Sequence, residues 1–224
     1  MFKTETHLHT AEVSPCSELR AKEAVRRYKA AGYTTIFVSD HFQASTLDKY
    51  GNIPWNEKMA IFLSGYYIAK CEGEKIGLNV LPAIEICFNT FQNNHYLVYG
   101  ITKQFLDSYP ELYTYGIEKF SEIARKEGVF IVQAHPYRDG ESFPTPEYVD
   151  AMEIYNSNPR HEDHSDKSAE IAKKYGLYVS AGSDAHRIDD MALSGIETEV
   201  EIKTSEQFIE LIKNRCVRLI RGDV

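Results

Sequence analysis

The chain lacks any apolar run long enough to span a bilayer, has no CxxC pair, and carries fewer positive than negative charges. The first absence excludes a transmembrane helix, which needs roughly 20 consecutive apolar residues. The second bears on redox state: Cys16, Cys71, Cys87 and Cys216 are scattered through 224 residues, a length that folds without cross-links, so reduced thiols are expected. The third limits partners. Lys and Arg number 25 against 33 Asp and Glu, a formal charge of −8, whereas affinity for nucleic acid comes mainly from clustered Lys and Arg. No stable nucleic-acid complex and no membrane association are expected. A small phosphorylated substrate stays compatible, because it needs only a local positive focus, which bound metal ions would supply. The N-terminal MFKTETHLHT has no basic segment followed by an apolar one, so no secretion signal is read and the cytoplasm is the expected compartment.

What is present fits one soluble α/β domain over residues 1–224, with 43% hydrophobic and 26% charged residues. Short runs of β-branched and aromatic residues alternate with longer helical patterns. Strands are predicted at Phe2–His9, Thr34–Asp40, Asn79–Ile86, Tyr96–Ile101, Val129–His135, Ala151–Asn156, Leu177–Ala181 and Val217–Ile220. Helices are predicted at Glu18–Ala31, with Ser17 as N-cap and Gly32 as stop, and at Asn56–Lys75, Pro110–Lys126, Asp163–Tyr175 and Ser205–Asn214, the last capped by Thr204. Helix-length crossovers between strands favour an irregular parallel barrel, with a doubly wound sheet as the alternative. Two irregular stretches, Phe42–Trp55 and Tyr137–Tyr148, follow strands that end in histidine, a placement typical of functional loops.

Those strand ends carry metal-type ligands. His7 and His9, two apart in a predicted strand, project from one face and can reach the same ion. Asp40 and His41 end the second strand, Glu85 lies in the apolar third, His135 ends the fifth, and Asp184 and His186 follow the seventh. A carboxylate such as Glu85 among buried neighbours is expensive without a partner. In a parallel barrel the C-terminal strand ends share one rim, so these groups converge there. Imidazoles and carboxylates without thiolates suit Zn, Fe or Mn, and the ligands outnumber the needs of one ion. Cys16 and Cys87 are read as packing residues.

In order, HLH at His7–His9, SDH at Ser39–His41, the glutamate of AIEI, the HP of AHPYR and GSDAH at Gly182–His186 resemble the motifs of the PHP family of metal-dependent phosphoesterases, over residues 1 to about 190. The resemblance implies a distorted barrel of about seven βα units, a centre of three divalent ions, and phosphoester hydrolysis. Carried over, His7, His9, Glu85 and Asp184 would hold one ion, His41 and His186 a second, and a bridging Glu85 with His135 a third. His95 matches a histidine of many relatives and would complete the third site. Where relatives place an Asp or His five or six residues after the HxH pair, this chain has Ser14 and Pro15, and Glu12 is expected to fill the second site instead.

For the phosphate, Arg138, Arg160 and Arg187 are the candidates, since a guanidinium fork binds phosphate oxygens bidentately and stays charged. The expected chemistry is in-line displacement by a metal-activated water, with Asp40 orienting a ligand rather than acting as the acid. A small phosphomonoester is the expected substrate, with histidinol phosphate or a nucleotide as the examples the resemblance suggests. A phosphodiesterase or nuclease, a protein-tyrosine phosphatase and a non-catalytic metal-stabilised interaction domain are the alternatives. The sequence fixes neither the metals nor the oligomeric state.

Overall fold

Runs such as YTTIFV, NVLPAIEIC and HYLVY become strands because branched and aromatic side chains pack well on a pleated surface. The structure, a computed structural model, describes residues 1–88 and 93–222. Among these, the strands are β1 (Phe2–Glu5), β2 (Tyr33–Val38), β3 (His41–Phe42), β4 (Asn79–Cys87), β5 (His95–Tyr99), β6 (Phe130–Gln133), β7 (Ala151–Asn156), β8 (Tyr178–Gly182), β9 (Ser194–Thr198) and β10 (Arg218–Arg221). They form one sheet in the order β10-β9-β1-β2-β4-β5-β6-β7-β8, with β3 also on β4. The sheet nearly closes by the approach of its end strand β8 to the β1 side. Leu8 and Ala185 form a parallel bridge beyond β1 and β8, with His9 N–H donating to Ala185 O at 3.0 Å and Ala185 N–H to His7 O at 3.2 Å. The architecture is therefore the expected α/β distorted barrel.

The helices are α1 (Ala21–Ala30), α2 (Ala44–Leu47), α3 (Trp55–Phe62), α4 (Ser64–Ile76), α5 (Lys103–Ser108), α6 (Ile117–Glu127), α7 (Ser165–Tyr175) and α8 (Ser205–Lys213). Ala21, Ala24, Val25 and Tyr28 of α1 recur at helical spacing and are buried together. Phe208 and Ile212 of α8 join Phe37, Leu81, Leu97, Phe130 and Val132 in another buried cluster. Each such large side chain contributes about 1.5–3 kcal/mol by leaving water.

Four departures from the sequence reading matter for the site. Strand β1 stops at Glu5 rather than His9, because the buried Glu5 carboxylate accepts the N–H groups of Thr6 and His7 at 2.9 Å each and so ends the ladder. The pairs β4–β5 and β5–β6 are antiparallel. That orientation sets His95 opposite Cys87, at the same end of the sheet as Glu85. The predicted helix Asn56–Lys75 is two helices, turning at Leu63 so that Gly65 meets Thr10 and Asp40, where any side chain would collide with them. Finally, α1 starts at Ala21, and Ser17 does not cap it. Thr204 does cap α8, accepting from Gln207 N–H. No helix among the described residues is long and apolar enough to cross a membrane.

Candidate metal centre

Glu85 lies on β4 between β3 and β5. Its backbone N–H donates to Asp40 O at 3.1 Å, and β3 places His41 directly beside it. Around its carboxylate lie His41 Nδ1 at 2.6 Å, His135 Nε2 at 3.0 Å, His95 Nδ1 at 3.1 Å, His7 Nε2 at 3.4 Å and His9 Nε2 at 3.5 Å. Asp184 Oδ1 is 3.4 Å from each of His7 Nε2, His9 Nε2 and His186 Nδ1. His186 Nε2 lies 3.4 Å from His41 Nε2.

Of these contacts, His135 Nε2–Glu85 Oε1 and His186 Nε2–His41 Nε2 have hydrogen-bond geometry, and the other contacts to Glu85 do not. His7 Nε2, His9 Nε2, His41 Nδ1, His95 Nδ1 and Glu85 Oε2 are buried without a hydrogen-bond partner, although each lies within 3.5 Å of a potential one. Leaving one such group unsatisfied costs about 1–3 kcal/mol, a penalty that coordinating a cation removes. The ligand atoms gather into four overlapping groups, each within 4.8 Å: His7 with His9 and Glu85, His7 with His135 and Asp184, His41 with Glu85 and His95, and His9 with His41 and His186. This donor set, imidazole nitrogen and carboxylate oxygen at orphaned atoms, fits divalent transition metals.

The backbone bends to reach this arrangement. His135 and Asp184, just past β6 and β8, have φ of 29° and 49°, left-handed conformations that are uncommon outside glycine and cluster at functional sites. Behind the ligands, Glu153 accepts from His135 N–H at 3.0 Å and Asn156 Nδ2 at 2.8 Å, and lies 2.9 Å from His7 Nδ1. Asn158 Nδ2 donates to Asp184 O at 3.1 Å.

Charge is unevenly spread. Burial alone would raise Glu85 and Asp184, but the surrounding histidines, with Arg138 beside Asp184, hold both well below the usual carboxylate range. Burial disfavours charged imidazolium, yet the Glu85 carboxylate outweighs it and lifts His41 to about 10 and His95 to about 9. Asp184, Glu153 and Glu85 likewise raise His7 despite its burial. Burial, then the neighbouring His41 and His186, push His9 well down; burial and Arg138 lower His135 to about 4.

Of the residues singled out by sequence, His7, His9, His41, Glu85, His95, His135, Asp184 and His186 come together. Glu12 does not. Its carboxylate accepts from Ala21 N–H at 3.0 Å, capping α1 in place of Ser17, because the first-turn amides need an acceptor. Asp40 is buried away from the cavity, accepting from Thr10 N–H, Thr10 Oγ1 and Ser14 Oγ at 2.7–2.8 Å. Burial raises it to about 6. Its grip passes on to a ligand through Ser14, whose Oγ accepts from His41 N–H at 3.1 Å.

A cavity of about 280 Å³ opens over the centre, lined by His41, His95 and His186, by Cys16 and Asn158, and by the three arginines. Arg138 bonds Asp184 directly and keeps a buried, unpartnered Nε. Arg160 spends its fork on the buried Asp190, at 2.6 and 2.8 Å. Arg187 is half exposed, 3.3 Å from Glu18. Sequence reasoning passed over Glu153 and read Cys16 as a packing residue, whereas Cys16 is exposed at the cavity wall. Glu153 stands among apolar residues in AMEIYN, the same signal that drew attention to Glu85.

Residues 162–217 match the PHP_C family, described as PHP-associated. No curated protein matches. Among solved structures, a Bacteroides vulgatus two-domain protein containing a predicted PHP-like metal-dependent phosphoesterase is 13% identical with a TM-score of 0.74, over 100% of this chain and 65% of that one. A Bifidobacterium adolescentis protein assigned as a metal-dependent phosphoesterase is 15% identical, TM-score 0.55, over 97% of each chain. The lesion-specific endonuclease of Pyrococcus furiosus is 14% identical, TM-score 0.63, over 97% of this chain and 57% of its own. The chain thus spans less than two thirds of the Bacteroides and Pyrococcus proteins. The PHP-associated match lies on the segment that includes α7 and α8, and over its whole length the chain shares its fold with a protein named as containing a PHP-like metal-dependent phosphoesterase.

Proposed function

We propose that this protein is a metal-dependent phosphoesterase acting on a small phosphomonoester. The observation that carries the reading is the convergence of buried imidazole and carboxylate atoms that lack hydrogen-bond partners, at the floor of a cavity edged by arginines. Similarity in fold to proteins named as phosphoesterases supports the same class. The overlap of the four ligand groups around Glu85 and Asp184 supports more than one ion, and three ions of Zn, Fe or Mn type are the number the ligands can serve. In this reading His7, His9, Glu85 and Asp184 hold one, His41 and His186 a second, and Glu85, His95 and His135 a third.

Metal ions in such a site supply a nucleophile by lowering the pKa of water, and screen charge on the phosphoryl oxygens. The chain's own residues do the rest. Glu153 fixes the tautomer and direction of His7, so that Nε2 faces the centre. Arg138, which lines the cavity beside Asp184, is placed to hold a non-bridging phosphate oxygen. A cavity of about 280 Å³ takes a small ester, and a net charge of −8 disfavours a polyanionic one.

Elemental analysis and turnover of p-nitrophenyl phosphate against bis(p-nitrophenyl) phosphate test this. Metal-dependent cleavage that favours the monoester is the expected result. Preference for the diester would move the protein towards nuclease or phosphodiesterase chemistry, the class of the Pyrococcus neighbour. A folded protein that takes up at most one ion and cleaves neither ester would remove the reading.

A further inference from the structure

The metal reading leaves one site short of an anion. His9, His41 and His186 form a group of three imidazoles with no carboxylate in it, and His41 Nε2 and His186 Nε2 face each other across 3.4 Å. Glu12, the expected anionic ligand, is committed to the amide of Ala21. On the solvent side of the same group Cys16 forms part of the cavity wall, which it lines together with His41 and His186.

We propose that Cys16 is a thiolate ligand of the ion held by His41 and His186, filling the position for which Glu12 was the sequence candidate. This rests on the metal centre proposed above. The loop that carries Cys16 is built to hold it there. Ser14 is fastened to Asp40 and to His41 N–H, at 2.7 and 3.1 Å. Ser17 Oγ donates to His9 O and His186 O, at 3.1 and 3.2 Å, and Ser17 N–H closes the turn onto Ser14 O at 3.0 Å. Cys16 is thus pinned on both sides to segments that carry ligands. On ligation the thiol gives up its proton and sulfur donates a lone pair to the ion. A sulfur donor beside imidazoles selects zinc, iron or cobalt over magnesium or calcium. The other cysteine near the centre, Cys87, lies opposite His95 in the β4–β5 pair and serves as control.

Cobalt(II) is the probe. In wild-type protein reconstituted with Co²⁺, a thiolate-to-cobalt charge-transfer absorption in the near ultraviolet is expected; it should persist in Cys87→Ser and vanish in Cys16→Ser. Cys16→Ser should also bind about one ion fewer, or hold one at least tenfold more weakly, with unchanged circular dichroism. Should that variant misfold, alkylation of the wild type decides: bound metal should protect Cys16 from iodoacetamide, read by peptide mass spectrometry, and leave Cys71 and Cys216 reactive. Cobalt uptake and ester hydrolysis with no charge-transfer band dependent on Cys16, or alkylation of Cys16 unaffected by metal, overturns this inference alone. Failure of the wild type to bind any cobalt overturns the metal centre and this ligand together.

Discussion

Glu153 Oε1 lies 2.9 Å from His7 Nδ1, and neither side chain is exposed at all. A carboxylate behind a ligating histidine sets its tautomer and raises its basicity, and removing such a partner weakens metal affinity by roughly 10–100-fold. Glu153→Gln keeps the size but drops the charge. It should lose metal affinity on that scale, measured by chelator competition, while near-ultraviolet circular dichroism is retained. Wild-type affinity in the variant would mean that His7 needs no partner to point at the centre.

Gly182 is the close neighbour of this pair. A Cβ there would sit 2.5 Å from His7 Cβ and 2.7 Å from Glu153 Oε1, contacts shorter than any side chain tolerates. Gly182→Ala should therefore destabilise the fold by about 1–3 kcal/mol, the usual range for overpacking, and weaken metal binding as well. Urea titration of metal-free and metal-loaded protein separates the effects: a larger loss in the loaded form shows displacement of His7.

Metal binding should compete with protons. In the metal-free protein burial lowers His41 and His95 but Glu85 raises them further, to about 10 and about 9, so both are charged at pH 7–8 and must become neutral to ligate. Apparent affinity should rise with pH through this range, and binding should release protons, read as a buffer-dependent heat in isothermal titration calorimetry. Folded-state pKa values above the unfolded 6.5 stabilise the metal-free fold fully below pH 6.5, and this contribution is lost as pH rises towards 9–10. Metal-free protein should accordingly lose Tm across that window, and loaded protein should not. Proton-free binding at pH 7 would contradict the charge state assigned to these histidines.

The convergence of the candidate ligands was legible because histidines and carboxylates at strand ends keep a spacing that survives errors in the fold. His7 and His9 converge although β1 stops at Glu5; an extended backbone keeps their two-residue alternation. His95 is reached through an antiparallel hairpin that the crossover argument did not foresee, since only a short stretch separates Cys87 from it. Glu12 misled because a carboxylate near a metal site and a carboxylate near a helix start look alike in sequence, and the amide of Ala21 won it. What stayed invisible was support from afar: Glu5 accepts from Ser183 N–H, 178 residues away, Glu153 reaches His7, 146 residues away, and Asp190 pairs with Arg160, 30 residues away, separations that no local pattern records.

Arg138 and Arg160 should now separate in function, although both line the cavity. The guanidinium of Arg160 grips Asp190 through two bonds of 2.6 and 2.8 Å, and Asp190 Oδ2 also accepts from His186 N–H and Arg187 N–H at 2.9 and 2.8 Å. Arg160 thus holds the carboxylate that shapes the segment bearing His186. Arg160→Ala would leave that buried carboxylate without its cation. Breaking a buried pair costs about 3–5 kcal/mol, and because a third of the Arg160 side chain is exposed, a loss of about 1–3 kcal/mol is the reasonable expectation. Arg138 differs: its partner Asp184 is itself a metal-ligand candidate, so a bound ion takes over that charge once the arginine is gone. Arg138→Ala in the loaded protein should keep its Tm but raise KM for a phosphomonoester and lower kcat, with a binding loss of about 1.5–3 kcal/mol for a lost charge-assisted hydrogen bond. Arg160→Lys should recover part of the stability lost in Arg160→Ala, because the charge returns without the fork. Thermal unfolding and steady-state kinetics on the three variants decide it: unchanged stability in Arg160→Ala together with a large rise in KM would exchange the two roles, making Arg160 the phosphate contact and leaving Arg138 as the partner of Asp184.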